Sequence, residues 1–491
     1  MNTLKANRIF IALIYLTLML ALTIGNVNAS SKLPEDADFA AIDAYVTEQM
    51  NNLGIPGMAL AIVQGDQIAH LQGFGVADSF GRKVTPQTPF YIASVTKSFT
   101  ALAVMQLVEA GKIDLDAPVQ MYLPWFELAD KEASAKITVR DLLNHTTGIS
   151  EEDGNRYELL GLQGLEETVR GLGNLSLTQP VGTTWEYSNL NYMIAGLIVE
   201  KVGGQSYGDY VTQHIFGPLD MRHSYASRSS ALADGLSEGY RYMFGHTFRD
   251  ERVLPPVELP AGGLIISAED MAHYAIARLN EGRYGAMSIL SPQGMAELHT
   301  PAISMGGAHG FDYYGLGSTL GTLDGIPTIA FAGMLHNFRS DLYLQPGEGW
   351  GVVLHVNAHG FEQAMQAEEI TGGILSLLNG NLPAPVTLPF LSRFLYWTVL
   401  LTPLLQILGI AYTWRNWRNK GVGHILLTVI FYGGIASLWL FGVPPVTGGS
   451  IWPTIWFYYP ELANGLIAGA ALGIGWSVIF TAMNLKARRA K

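Results

Sequence analysis

The chain has no cysteine among its 491 residues. That excludes disulfides, thiolate chemistry and cysteine-ligated metals. It leaves the compartment open, because exported proteins also manage without disulfides. Charge is sparse: Asp, Glu, Lys and Arg make up 14% of the chain, and the formal net charge is −12. No basic stripe and no basic run interleaved with aromatics crosses the middle of the sequence, which argues against a nucleic-acid surface. A dinucleotide fingerprint is missing, and Gly315-Leu316-Gly317 reads as a turn or strand edge. His355 and His359 have the spacing of a helical metal pair. They follow a strand, with Asn357 between them and Gly360 after, so they read as satisfied or exposed histidines. No metal and no organic cofactor is expected, and no internal repeat is present.

Long apolar runs stand at both ends. Lys5 and Arg8 precede the run Ile9 to Ile24, and Val27-Asn28-Ala29 suits a cleavage site. Residues 1–29 thus have the plan of a secretory signal peptide. An uncleaved anchor shares that plan, and either places the domain after it outside the cytoplasm. Three more runs end the chain: Phe394 to Tyr412, Ile425 to Val443 and Leu466 to Met483. Each is long enough to span a bilayer as a helix, and none contains Asp, Glu, Lys or Arg. The lack of intramembrane charge favours an anchor over a transport pathway. Arg415, Arg418 and Lys420 follow the first run; Lys486, Arg488, Arg489 and Lys491 follow the third. The positive-inside rule puts both clusters in the cytoplasm and everything before Phe394 outside. The outward loop then carries Trp452, Trp456, Tyr458 and Tyr459 at the membrane interface. Gly465, Gly469 and Gly473 repeat every four residues, which suits close packing within the three-helix unit. The Pro-rich stretch from Asn381 to Pro389 reads as a linker. The expected division is 1–29 signal peptide, 30–380 soluble domain, 381–393 linker, 394–485 membrane region and 486–491 basic tail.

In the soluble domain, Phe39, Ile42, Val46 and Met50 have the spacing of an amphipathic helix. Met58 to Val63 and Gln67 to Val76 flank Gln64-Gly65-Asp66 as a hairpin, and Asp341 to Leu344 and Gly351 to Val356 flank a Pro346-Gly347 turn as another. Phe361 to Leu378 predicts a helix. Strands early and late, with helices between them, give an α/β domain whose sheet is closed by both chain ends.

The chemistry is carried by Ser94-Val95-Thr96-Lys97 and by Tyr187-Ser188-Asn189. Residues three apart share a helix face, so Ser94 at a helix start can hydrogen-bond Lys97 one turn on. The apolar run from Phe99 to Val108 predicts a buried helix ending near Gly111. Its N-terminus puts N–H groups and positive potential beside Ser94, and that field with burial lowers the Lys97 pKa toward a usable base.

These motifs, with ITVRDLLNHTTGI (Ile137 to Ile149), PVGTTWEYSNLNY (Pro180 to Tyr192), Pro218 to Met221 and PAGGLIISAED (Pro260 to Asp270), resemble the class C β-lactamase-like serine hydrolases. That family includes penicillin-binding DD-peptidases, D-aminopeptidases and some esterases. The resemblance runs from about Phe39 to about Leu378 and leaves out the C-terminal region. It implies an antiparallel sheet covered by helices (α+β), a mainly helical subdomain beside it, and an active site between them. Ser94 is read as the nucleophile, and Lys97 as its leading base or as the group that keeps the local potential positive. The resemblance implies Tyr187 across the cleft, where a neighbouring ammonium lowers its pKa so that it passes a proton to the leaving group or takes one from water. The sequence leaves open which of Lys97 and Tyr187 is the base. Lys97 and Tyr187 are read as a coupled pair. Asn189 is expected to hold a substrate amide and orient Lys97. His145 is read as structural.

The third family motif departs from the pattern. By position before Asn337-Phe338-Arg339-Ser340, its counterpart is Phe331-Ala332-Gly333, with Phe331 where the family usually has Lys or His. Gly333 permits close approach, and the Met334 N–H could join the Ser94 N–H as an oxyanion hole. The missing cation weakens binding of substrate carboxylates, penicillins included. His336 and Arg339 lie near enough in sequence to substitute. The reading is a membrane-anchored hydrolase of amides or esters, facing the periplasm or cell exterior. It acts on a small-molecule or peptide substrate. The alternative is a catalytically impaired ligand-binding or envelope-interaction protein.

Overall fold

The strand Gly57–Gln64 (β1) is apolar and buried at every position from Met58 to Val63. Successive strand side chains point to opposite faces, so β1 has to be covered on both sides. Met58, Leu60 and Ile62 join a core with Ile42, Val46, Ile370 and Ile374. Ala59, Ala61 and Val63 join a second core with Phe99, Leu102 and Ile276. The structure, a computed structural model, describes residues 38–159, 164–243, 246–306, 311–386, 390–415, 422–437 and 460–489.

The main sheet adds Gln67–Gly75 (β2), Ile303–Ser304 (β3), Tyr313–Gly315 (β4), Ser318–Leu323 (β5), Ile326–Met334 (β6), Arg339–Gln345 (β7) and Trp350–Val356 (β8). Their order is β3-β4-β5-β6-β7-β8-β1-β2, and every neighbouring pair is antiparallel. Both expected hairpins form, and β8 pairs with β1, so early and late strands close one sheet. Gly65 turns the first hairpin at φ 59°, a conformation that favours glycine.

The helices that position the site are Phe39–Leu53 (α1), Thr96–Glu109 (α2), Val139–Asn144 (α3), Glu151–Leu159 (α4), Asn189–Gly203 (α5), Leu259–Gly262 (α6), Ala268–Leu279 (α7) and Phe361–Leu378 (α8). α1 and α8 cover one sheet face, and α2 and α7 lie on the other. α8 runs through Gly373, where a Cβ would strike the Tyr45 hydroxyl, so the position suits glycine. α5 is buried continuously from Leu190 to Val199 and lies among α2, α3, α4 and α6. A helix apolar all round belongs at the centre of a domain, and α5 is the axis of the helical subdomain.

Three helices follow the soluble domain: Phe390–Arg415 (α9), Val422–Ser437 (α10) and Pro460–Arg489 (α11). α11 packs on both others. A Cβ at Gly465 would lie 3.2 Å from Val399, so that glycine serves packing between α11 and α9. The expectation of three spanning helices is reduced. Among the described residues one segment, Pro460–Lys486, is long and apolar enough to cross a membrane, with mean hydropathy 1.9. α9 holds only the shorter apolar segment Tyr396–Tyr412; Thr398, Thr402, Pro403 and Gln406 dilute it. α10 is described to Ser437, and the end of the second run lies beyond. The expected signal peptide, Arg418, Lys420, the interfacial Trp452, Trp456, Tyr458 and Tyr459, and Lys491 lie outside the described residues.

Candidate active site

A 3₁₀ turn, Ala93–Val95, leads from the strand Pro89–Tyr91 into α2. Ala93 has φ 50°, left-handed backbone that costs a non-glycine residue about 1 kcal/mol. The turn leaves Ser94 half-buried at the head of α2. Lys97, one turn on, is 1% exposed. Its Nζ donates to Ser94 Oγ at 3.1 Å, to Asn189 Oδ1 at 2.8 Å and to the Ala261 carbonyl at 2.6 Å. These bonds match the three donors of an ammonium.

Tyr187 and Asn189 come from the opposite wall, where Ser188 caps α5. The Tyr187 hydroxyl lies 2.7 Å from Ser94 Oγ, and either oxygen can donate. The Lys97 ammonium sits 4.8 Å above the Tyr187 ring and 5.7 Å from the Tyr192 ring. α2, α5, the approach to α5, and α6 through Ala261 thus meet at one point. The expected lowering of the Tyr187 pKa is overturned. Burial pushes the phenol well above its ordinary value, the bond to Ser94 opposes this, and Tyr314, Glu151 and Glu258 add to it. The ammonium sits over the ring face rather than at the hydroxyl, so burial wins.

β6 forms the third wall. A Cβ on Gly333 would lie 2.8 Å from the Ser94 nitrogen and would strike the Ile92 carbonyl. The Leu335 N–H donates to the Phe338 carbonyl. Antiparallel bonding alternates, so the Met334 N–H turns away from β7. Pairing with β5 stops at Thr319 and Ala330. The Met334 N–H therefore faces the open edge of β6, on the side of Ser94.

Phe331 is 4% exposed, and the Arg278 guanidinium stacks 5.0 Å from its ring centre. The two expected substitutes for the missing cation are excluded. Arg339 pairs with Asp341 at 2.9 Å and reaches Glu368 of α8. Strand alternation puts it on the sheet face away from Ser94. His336 is 1% exposed and lies 4.0 Å from Asp250. Among the described residues, no group of three or more His, Asp or Glu is placed to hold a metal ion. His355 bonds Ser340 at 2.8 Å instead.

Three features were not read from the sequence. The Ala261 carbonyl lies within the PAGGL segment but signalled no role. His145 was read as structural, but its packing 4.6 Å from the Tyr187 ring was not foreseen. The third feature is an acidic rim. A Cβ on Gly154 of α4 would lie 2.8 Å from Ser188 Oγ and 3.0 Å from the Asn189 nitrogen, so α4 rests directly on the Tyr187–Asn189 segment. α4 begins with Glu151, and Glu186 precedes Tyr187 and accepts from Thr178. Glu151 keeps an exposed surface at the rim, but the protein atoms crowded around its carboxyl, then the Glu186 carboxylate, raise it to about 7, against the pull of Lys97. Glu258 is 2% exposed and within electrostatic reach of Tyr187.

The family model described as Beta-lactamase matches residues 42–371. Protein flp of Staphylococcus aureus (strain MW2) is 26% identical over 389 residues, which cover 79% of this chain and 76% of that protein. The unguisins hydrolase ungD' of Aspergillus campestris is 29% identical over 345 residues, covering 66% of this chain and 62% of that protein. Among solved structures, the octameric penicillin-binding protein homologue from Pyrococcus abyssi superposes with a TM-score of 0.63 at 25% identity, covering 74% of this chain and 82% of that one. FmtA from Staphylococcus aureus shares the fold with a TM-score of 0.57 at 22% identity, over 75% of this chain and 94% of that one. With an eight-stranded sheet, a helical subdomain and a family match across most of its length, the chain belongs to the beta-lactamase family and has its penicillin-binding-protein-like fold.

Proposed function

We propose that the protein is a membrane-anchored serine hydrolase that cleaves amides or esters through an acyl-serine on Ser94. The observation that carries this reading is the contact of one hydroxyl with an amine and a phenol: Ser94 Oγ with Lys97 Nζ at 3.1 Å and Tyr187 at 2.7 Å. The resting ammonium first releases one proton to solvent, and Lys97 as the amine then takes the Ser94 proton while Oγ attacks the carbonyl. The Ser94 and Met334 N–H groups hold the oxyanion. Tyr187, kept as a phenol by burial, gives its proton to the departing alcohol or amine. Water then attacks the acyl-serine and returns a proton to Tyr187, and Lys97 reprotonates Ser94. Asn189 orients Lys97.

The substrate is an ester or amide without a carboxylate beside the scissile bond. Phe331 cannot pair with one, and Glu151 and Glu186 on the rim would repel it. A cleft edged by one sign of charge concentrates the opposite sign, so an ammonium-bearing substrate is favoured.

Anchoring is supported by α9 and α11. Their large apolar side chains are exposed in series, Leu401, Leu404, Leu405 and Leu408 on one and Ile474, Val478 and Ile479 on the other. An apolar surface of that extent suits lipid. On this reading the hydrolase domain lies outside the cytoplasm, and the linker expected over 381–393 ends earlier, because α9 already begins at Phe390.

A fluorophosphonate probe tests the reading. Wild type is expected to label and Ser94→Ala not to label. A wild-type protein that resists the probe supports the rival, an impaired ligand-binding protein, which the aromatic ring at Phe331 favours.

A further inference from the structure

His145 ends α3 in left-handed backbone, φ 57° and ψ 41°, where glycine or asparagine is the ordinary choice. Its side chain explains why a histidine stays there. The ring is fully buried and lies 4.6 Å from Tyr187, 5.1 Å from Tyr192 and 5.1 Å from Tyr314. Nδ1 takes the Ser188 N–H at 3.2 Å and the Asn191 side-chain amide at 3.1 Å. The His145 carbonyl takes the Glu186 N–H at 2.9 Å. One residue therefore holds the backbone N–H before Tyr187 and the one after it, with its ring against the phenol between them. Two more bonds, Gly182 N–H to Thr146 and Thr178 N–H to Gly148, lace the same two segments together.

An Nδ1 that accepts from two donors leaves the ring proton on Nε2. Burial, then the Lys97 charge, holds the imidazole well below its ordinary pKa. The ring is thereby held toward its neutral form, which keeps the Nδ1 acceptor.

We propose that His145 is the positioning residue of Tyr187: it fixes the phenol against Ser94 and takes no proton itself. This rests on the acyl-serine reading above. A small displacement of a catalytic group lowers turnover without changing substrate binding. The test is a cycle on the full-length protein in detergent, using an activated ester. His145→Phe keeps the ring and loses the acceptor; His145→Asn suits left-handed backbone and restores a carbonyl acceptor. His145→Phe is expected to lower kcat about tenfold or more with little change in KM. His145→Asn is expected to recover part of that loss. In a Tyr187→Phe background, His145→Phe is expected to lower kcat no further, because what it positions is gone. Losses that multiply in the double variant, or a His145→Asn no better than His145→Phe, overturn the proposal. If His145→Phe does not fold, the His145→Asn and Tyr187→Phe cycle decides by the same rule. Failure of Tyr187→Phe alone to lower kcat would instead count against the acyl-serine reading.

Discussion

Gly333 presses against the Ser94 backbone so closely that a single added carbon would lie 2.8 Å from its nitrogen. The end of β6 is thereby brought close to the nucleophile's own N–H, as the proposed oxyanion site requires. Gly333→Ala is expected to lower kcat about a hundredfold, the scale of losing one donor. Steady-state kinetics with an activated ester checks this. An alanine variant that turns over like wild type would show that β6 is not part of the oxyanion site.

Phe331→His is expected to improve the handling of carboxylated lactams, because it restores a hydrogen-bond donor on the face of β6 that carries Gly333. It also removes a buried phenyl from the Arg278 guanidinium, so a stability loss of about 1 kcal/mol or more should accompany the gain. Turnover of a chromogenic cephalosporin is the measurement. An unchanged or poorer rate in a folded variant would mean that position 331 does not govern carboxylate binding.

The rim carboxylates predict a preference between two esters of one shape. Acetylcholine carries a fixed positive charge, and 3,3-dimethylbutyl acetate replaces its nitrogen by carbon. The charged ester is expected to have a kcat/KM several-fold higher, on the order of 1 kcal/mol of rim electrostatics. Glu151 is neutral below about 7 and charged above it, so the ratio should rise as pH passes upward through that value. Glu151→Gln should flatten the rise, Glu186→Gln should reduce the ratio, and salt should weaken it. A ratio of one at all pH values would dismiss the rim as a determinant.

Buried histidines predict acid lability. Burial lowers His355 to about 3, and burial together with the Arg339 charge lowers His359 to about 3. Both are neutral when folded at pH 5, whereas an unfolded chain protonates them below about 6.5. The unfolded state then binds more protons, so stability falls as pH drops from about 6.5 toward 3. The slope approaches about 1.4 kcal/mol per pH unit for each. Thermal melts at pH 7, 6 and 5 should show a falling Tm. Glu151, raised to about 7, and Asp341, raised to about 6, work in the opposite sense, so the share of the two rings is read from His355→Gln and His359→Gln, which should lose Tm less steeply on acidification than wild type. Variants whose Tm falls as steeply as wild type would contradict the burial of these rings.

The fold was legible where periodicity was strong. Phe39, Ile42, Val46 and Met50 announced α1, and Gly65 and Pro346-Gly347 marked hairpin turns that form where expected. The Ser94 to Lys97 contact followed from helical spacing alone. The direction of Arg339 was not legible, because sequence nearness to Gly333 says nothing about which sheet face a residue takes. Pairing of Met334 with Arg339 settles that, and sends the guanidinium to Asp341 and Glu368. The Tyr187 pKa was misjudged for a related reason: a neighbouring cation could be guessed from the motifs, but not how far packing against the phenol would outweigh it.

The sequence by itself determined the local chemistry: a hydroxyl and an amine one helical turn apart, a glycine where a strand must pass closely, and apolar runs that have to leave water. Tertiary structure decided what those groups meet. His145, Ala261 and Glu151 come from segments with no shared periodicity, and they gather around Lys97 and Tyr187 only because α3, α4 and α6 pack on α5. Spacing along a chain fixes neighbours within one helix or strand, whereas burial and electrostatics depend on everything within a few ångströms in space.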